Sequence, residues 1–273
     1  MKPIQAHIEY LRHIKGYSEN TCKAYEKALH KFARSIHKMR PDATWRTITR
    51  KDIDNFIFCL SIGCKHPSTI NLHLAAISSQ FRYFQREGLI TDNPCKYESR
   101  QKVGETIPNI IPTNDLRQAF EHATGEGRLM LGLLISTGMR IGELLNLTYQ
   151  DIDTKEMRIK VRGKGNKERI VYTNKETLQE FPGIGNVKDK KARVFEMTER
   201  EARYMIWEMV RPYTMAKQVS PHAIRHTFAT WAAKAGCNST MIAKALGHND
   251  LRTSQKYINM AEVDTNRLCF NFK

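Results

Sequence analysis

Along the first ninety or so positions, apolar residues recur at helical spacing. Ile4, Ile8, Leu11 and Ile14 stand three or four apart, and Gly16 ends the run. Ser18 is placed to cap a second helix whose stripe is Tyr25, Leu29, Phe32 and Ile36. A third helix is expected from about Thr49 to Ser61, and Pro67-Ser68 opens a fourth carrying Ile70, Leu74, Ile77, Phe81 and Phe84. The pattern predicts a four-helix unit without strands over residues 1–92.

From Asp92 to Pro112 the periodicity stops, and three prolines, a glycine and several charges replace it, as in an extended linker over 93–112. A second domain is expected from 113 to 273. Thr113 starts a helix through about Ala123, Glu126 to Thr137 forms another, and Gly138 suits its C-terminal cap. Ile141 to Leu147 reads as a short helix with Arg140 at its start. The period then changes to two. Met157-Arg-Ile-Lys-Val-Arg162, the turn Gly163-Lys-Gly-Asn166 and Glu168-Arg-Ile-Val-Tyr172 read as a β-hairpin. Further helices are expected near 198–211, 221–235, 239–246 and 251–260. The fold class is therefore mainly α with a small β-sheet in the second domain.

Composition adds a partner. The chain has 273 residues, 41% of them hydrophobic, enough for two domains with buried cores. Lys and Arg number 44 against 28 Asp and Glu, a net charge of +16, which favours a polyanion such as nucleic acid. The excess is spread evenly, with 17 basic and 9 acidic residues in 1–100 and 27 and 19 thereafter, so both halves can touch phosphate. The six cysteines, at 22, 59, 64, 95, 237 and 269, form no C-x-x-C pair, which points to reduced thiols and a cytoplasmic location. No stretch approaches the roughly 18–20 apolar residues of a membrane span, and no membrane partner is expected.

Ser220-Pro-His-Ala-Ile-Arg-His226 sets a cap and a first-turn proline before His222, so His222 and Arg225 share a helix face. Leu246-Gly-His248 follows a helix that ends at Gly247, and Tyr257 stands nine residues beyond His248. Arg140 and the turn Lys164 complete a set of two guanidinium forks, an amine, two imidazoles and a phenol. Singly, each has a bland reading: a solvated arginine, an ordinary hairpin lysine, a core tyrosine. Lys167 in the same loop is a rival to Lys164, and Tyr172, Tyr204 and Tyr213 are rivals to Tyr257. His222 and His226 stand four apart, but Ala223 occupies the glutamate position of an H-E-x-x-H zinc site, so no metal is expected.

Together these residues resemble the tyrosine recombinases, the phage-integrase-type site-specific recombinases. The resemblance rests on Ser136-Thr-Gly-Met-Arg-Ile-Gly-Glu-Leu-Leu145, Gly163-Lys-Gly-Asn-Lys-Glu-Arg169, His222-Ala-Ile-Arg-His-Thr-Phe-Ala229 and Leu246-Gly-His248 leading to Tyr257. Ser18-Glu-Asn-Thr21 with Tyr25, and Phe81-Arg-Tyr-Phe84, resemble the family's SAM-like core-binding domain. The interval from Lys164 to His222 is short for the family, which implies trimmed loops.

The resemblance implies that Arg140 and Arg225 hold the non-bridging oxygens of a scissile DNA phosphate and that Tyr257 attacks it, giving a 3′-phosphotyrosyl intermediate. His222 would accept the phenol proton, Lys164 would donate one to the leaving oxygen, His248 would bond the phosphate, and Glu143 would buttress the site. One phosphodiester is exchanged for another, so no cofactor is implied. Implied partners are double-stranded DNA, clamped between the two domains, a homo-tetramer on two DNA sites passing through a Holliday junction, and accessory or directionality proteins. DNA contacts are expected among Lys15, Lys23, Arg50, Lys51, Lys65 and Arg82. Val263, Leu268, Phe270 and Phe272 are expected to dock into a neighbouring protomer. The chain is also expected to lack an arm-binding domain and so to resemble the simpler Xer and Cre members. A type IB topoisomerase and a non-catalytic DNA-binding regulator are the alternatives.

Overall fold

The computed structural model describes residues 2–63, 66–95, 101–102, 104, 108–163, 167–181, 189–248 and 250–262. The chain divides into two compact units, Met1–Thr106 and Ile107–Lys273.

In the first unit, α1 (Lys2–Glu9) continues into a π-helical turn at Tyr10–Ile14, followed by α2 (Glu19–Met39), α3 (Arg50–Ile62) and α4 (Pro67–Arg86). Local chemistry sets their starts. Ser18 accepts a hydrogen bond from the Thr21 amide, and Thr49 and Asp52 form a reciprocal capping box. The expected stripes meet in one core: Ile4, Ile8, Leu11, Leu29, Phe32, Ile53, Phe56, Ile77 and Phe81 are buried, and Cys95 is buried with them. Ile14 departs from the expected stripe. It is 67% exposed, because the wider π turn rotates the chain off the face that Ile4 and Leu11 share.

Near the start of the second unit, Ile111, 1% exposed, lies in its core. The unit then runs α5 (Thr113–His122), α6 (Gly125–Thr137), α7 (Ile141–Leu145), β1 (Ile152–Asp153), β2 (Arg158–Arg162), β3 (Glu168–Tyr172), α8 (Lys175–Gln179), α9 (Glu199–Val210), α10 (Pro221–Lys234), α11 (Ser239–Leu246) and α12 (Arg252–Glu262). The sheet is antiparallel in the order β1-β2-β3, with Ile159 opposite Val171 and Val161 opposite Arg169. Ile159 and Val161 face the core while Arg158, Lys160 and Arg162 face solvent, the alternation of a half-buried strand. The two-residue β1 and the five-residue α8 were not foreseen; neither is long enough to set up a period. The apolar α6 is buried on most sides, and α7, α9 and α10 pack against the same core. A smaller cluster joins α10, α11 and α12 around Tyr257. Lys65, Lys164 and the C-terminal Val263, Leu268, Phe270 and Phe272 lie outside the described residues.

Candidate active site

Two helix ends build the cationic centre. α6 stops at Gly138, whose φ of +62° is a left-handed cap. A Cβ there would stand 2.5 Å from the Phe228 ring, so the position has room only for glycine. Two residues on, Arg140 precedes α7. Its backbone N–H donates to Glu143 Oε2 (2.8 Å) and its Nη1 to Glu143 Oε1 (2.9 Å). Its side chain remains 46% exposed.

Arg225 projects from the second turn of α10, behind the Ser220 cap and Pro221. It is 3% exposed, an unusual setting for a guanidinium. Backbone carbonyls make that setting tolerable: Nη1 donates to Gly138 O (2.7 Å) and Nη2 to Leu246 O (2.6 Å). Burial, with Arg140 adding to it, pulls Arg225 down to about 10, which leaves it charged at neutral pH.

α11 closes on Gly247 (φ +64°), and the His248 amide bonds back to Ala243 O at 3.0 Å. His248 shares a 2.8 Å hydrogen bond between its Nδ1 and Ser254 Oγ. Burial and the charges of Arg225 and Arg140 hold His248 down to about 4. His222 is lowered by the same kinds of force, burial first and then Arg225. Both imidazoles are therefore neutral at pH 7. A cleft of about 750 Å³ brings Arg140, Arg225, His222 and His248 together with Lys167 and Arg169.

Tyr257 lies apart from that lining. It is 2% exposed and packs among Ala229, Ala232, Ile242 and Leu246. Its hydroxyl shares a 2.6 Å hydrogen bond with Nδ1 of His226, whereas His222, the expected proton acceptor, lines the cleft and touches His226 edge-on at 4.2 Å between centroids. Burial pushes the phenol up to about 12 against the pull of Arg225. Burial, with His222 and Lys256 contributing, brings His226 down to about 4.

Sequence reasoning missed three residues of this arrangement, Arg169, His226 and the Ser254 that bonds His248. Arg169 on β3 donates from Nη1 and Nη2 to both oxygens of Glu143 (2.9 and 2.8 Å) and from Nε to Ala245 O (2.9 Å). Burial works to raise the Glu143 carboxyl, but the Arg169 fork and the Arg140 amide outweigh it and hold the group below the ordinary carboxylate range. His226 was weighed only as a metal ligand. Its one available signal was the four-residue step from His222, which puts both rings on one helix face. Arg169 sat inside a quoted motif, but nothing local shows that it reaches Glu143.

Of the expected DNA contacts, Lys15, Lys23, Arg50, Lys51 and Arg82 are exposed on the first unit. Lys23 and Arg50 pair loosely with Glu19 and Asp54, both at 3.8 Å. A groove of about 540 Å³ adds Lys27 and Lys31 to Lys23 on one face of α2, beside Leu72 and His73 of α4. No helix among the described residues is long and apolar enough to cross a membrane.

The profile of the phage integrase family matches residues 110–263, and that of the phage integrase N-terminal SAM-like domain matches residues 4–88. A tyrosine recombinase of Thermosipho africanus is 29% identical, covering 96% of both chains. The tyrosine recombinase XerD of Oceanobacillus iheyensis is 27% identical over 95% of this chain and 94% of its own. Among solved structures, the XerH site-specific recombinase bound to a palindromic difH substrate in a post-cleavage complex superposes with a TM-score of 0.72. That pair is 22% identical, covering 90% of this chain and 77% of the other, and shows a shared fold.

Proposed function

We propose, from the premise that this chain belongs to the phage integrase family and is a tyrosine-type site-specific DNA recombinase, that Tyr257 is its nucleophile and Arg140 and Arg225 its phosphate clamp. The observation that carries the reading is the convergence of Arg140, Arg225, His222 and His248 on one cleft, with a buried tyrosine on the adjoining helix. Planar, permanently charged forks suit two oxygens of one phosphate. Negative charge grows on those oxygens as the phenol oxygen bonds to phosphorus and the 5′-oxygen leaves, so fixed donors there act mainly on rate. His222 and His248, neutral at pH 7, are able to exchange protons and bond the phosphate. Lys164 is assigned to protonate the leaving oxygen, with Lys167, which lines the cleft, as its rival.

In the resting chain Tyr257 is bonded to His226, so cleavage requires the phenol to leave that partner for the cleft. The phosphotyrosyl ester keeps the energy of the broken phosphodiester, and attack by a 5′-hydroxyl reseals the strand. Recombination between two sites by this route proceeds through a Holliday junction and calls for four protomers. Lysines and arginines on the surface of the first unit, the exposed Lys23 and Lys27 and the half-buried Lys31 foremost, supply sequence-independent phosphate contacts. A cytoplasmic location and accessory proteins complete the reading.

The test is covalent trapping on a DNA site nicked just beyond the suspected scissile phosphate. The wild type should form a denaturation-stable 3′-phosphotyrosyl adduct and Tyr257→Phe none. An adduct that persists in Tyr257→Phe would move the nucleophile elsewhere. Tight binding without any adduct from the wild type would favour the non-catalytic regulator.

A further inference from the structure

Arg169 ties three segments of the cleft together. From β3 its fork grips both carboxylate oxygens of Glu143, at 2.9 and 2.8 Å, and its Nε holds Ala245 O at 2.9 Å. Ala245 leads directly into the turn whose Leu246 and Gly247 carbonyls accept from Arg140, both at 3.4 Å, and whose Leu246 carbonyl also accepts from Arg225. The turn is shaped around this guanidinium: a Cβ on Gly247 would lie 3.0 Å from Arg169 Nη1.

The charges explain why a second arginine is needed. Glu143, with its side chain 5% exposed, orients Arg140 through both a side-chain and a backbone hydrogen bond. Alone, that carboxylate would also neutralise Arg140, and an approaching phosphate would meet a dipole rather than a cation. Arg169, 12% exposed and turned onto Glu143, cancels the carboxylate, and the trio keeps one net positive charge. That charge is carried to the cleft by Arg140, the exposed member at 46%.

We propose that Arg169 is a positioning residue that neutralises Glu143, so that this carboxylate aligns Arg140 without quenching the charge Arg140 offers to the scissile phosphate. The proposal rests on the reading of Arg140 as a phosphate ligand. A lysine would be a poor substitute, since a point charge cannot span both oxygens.

The experiment compares single-turnover adduct formation on two nicked sites, one with the natural scissile phosphate and one with an uncharged methylphosphonate at that position. Arg169→Gln should slow the reaction on the charged phosphate by about 10- to 100-fold, approaching the loss of one donor to the transition state. Its penalty on the methylphosphonate should stay below roughly 3-fold, and its DNA affinity in a mobility-shift assay should hold within about the same factor, because only the charge presented in the cleft is altered. Adding Glu143→Gln to Arg169→Gln should restore at least about 5-fold of the lost rate, a coupling in the range of contacting residues.

Equal losses on the two substrates would reduce Arg169 to structural support and overturn the proposal. So would a double variant no faster than Arg169→Gln. If circular dichroism shows Arg169→Gln unfolded, Arg169→Met, which keeps an unbranched chain of similar reach and removes the charge, takes its place in the same comparison. Arg140→Ala is the control for the underlying reading: a wild-type rate from it would overturn both, whereas a slow Arg140→Ala beside an unimpaired Arg169→Gln would overturn this proposal alone.

Discussion

Arg140, Glu143, Arg169 and Arg225 each make two or more hydrogen bonds, and they tie α7, β3 and the end of α11 into one charged frame. Tyr257, by contrast, sits in an apolar nest of alanine, leucine and isoleucine and is tethered through its hydroxyl to His226. The difference teaches which half of the site is built in advance. Donors that stabilise a transition state are effective when fixed before the substrate arrives. On the proposed reading, a nucleophile that starts from a buried position outside the cleft is better held by contacts that can be exchanged, such as apolar packing and one hydrogen bond to a neutral imidazole.

The strongest way to break the fixed half is Arg225→Ala. Adduct formation should fall by about 10²–10³. Stability should fall as well, by roughly 1–3 kcal/mol, because the Gly138 carbonyl loses the Arg225 donor and the Leu246 carbonyl keeps only its longer bond from Arg140. Single-turnover kinetics and denaturant titration measure the two effects. Next comes Gly138→Ala, where a left-handed φ of +62° and a 2.5 Å approach to Phe228 act together. Strain of about 1–2 kcal/mol from the backbone alone should lower the melting temperature by several degrees and loosen the Arg225 anchor. An unchanged melting curve would show that neither the left-handed φ nor the approach to Phe228 is costly at this position.

The tethered half calls for a different probe. His226→Ala removes the partner of the Tyr257 hydroxyl, and acetylation of Tyr257 by N-acetylimidazole, followed by mass spectrometry, should rise several-fold, as expected of a contact worth about 1 kcal/mol. No rise would mean that packing alone confines the ring. In the intact protein, burial should hold back ionisation of Tyr257 to near 12. Ultraviolet difference spectroscopy should show this late phase, and Tyr257→Phe should remove it.

A smaller effect appears in acid. His226 and His248 are held at about 4, while in the unfolded chain they take up protons near 6.5. The unfolded state thus binds more protons between those values. Their contribution to stability is complete above pH 6.5 and lost as pH falls towards 4. His7, also at about 4 in the first unit, adds to the trend there. Chemical denaturation across this range should show the decline, and His226→Ala should flatten it in part. The smallest change is expected from Lys27→Ala on the first unit: several-fold weaker DNA binding and a salt slope reduced by about 1, with the rate on bound DNA unaltered.

Much of the cleft was legible in the sequence because its determinants are local. Ser220 and Pro221 set the start of α10 and therefore the face on which His222 and Arg225 lie. Gly138 and Gly247 mark the helix ends that bring Arg140 and His248 forward. The links between these segments were not legible. Glu143 and Arg169 are far apart in sequence and meet only because β2 packs beside α7 and β3 beside α11. The tether of Tyr257 was hidden for the same reason: His226 looks like the second member of a histidine pair four residues apart on one helix, and its partner comes from a separate helix. The π turn at Tyr10–Ile14 also kept the helical spacing of its apolar residues while rotating Ile14 away from the core.

Ser254 and Tyr257 share a single turn of α12. Ser254 is fully buried and bonded to His248, while Tyr257 is bonded to His226. A rigid helix cannot carry the phenol towards a phosphate without also disturbing the serine that sets the His248 ring. On the proposed reading, in which Tyr257 attacks and His248 bonds the phosphate, this short helix is an interlock: a shift of α12 that moves the phenol also moves the partner of the His248 ring.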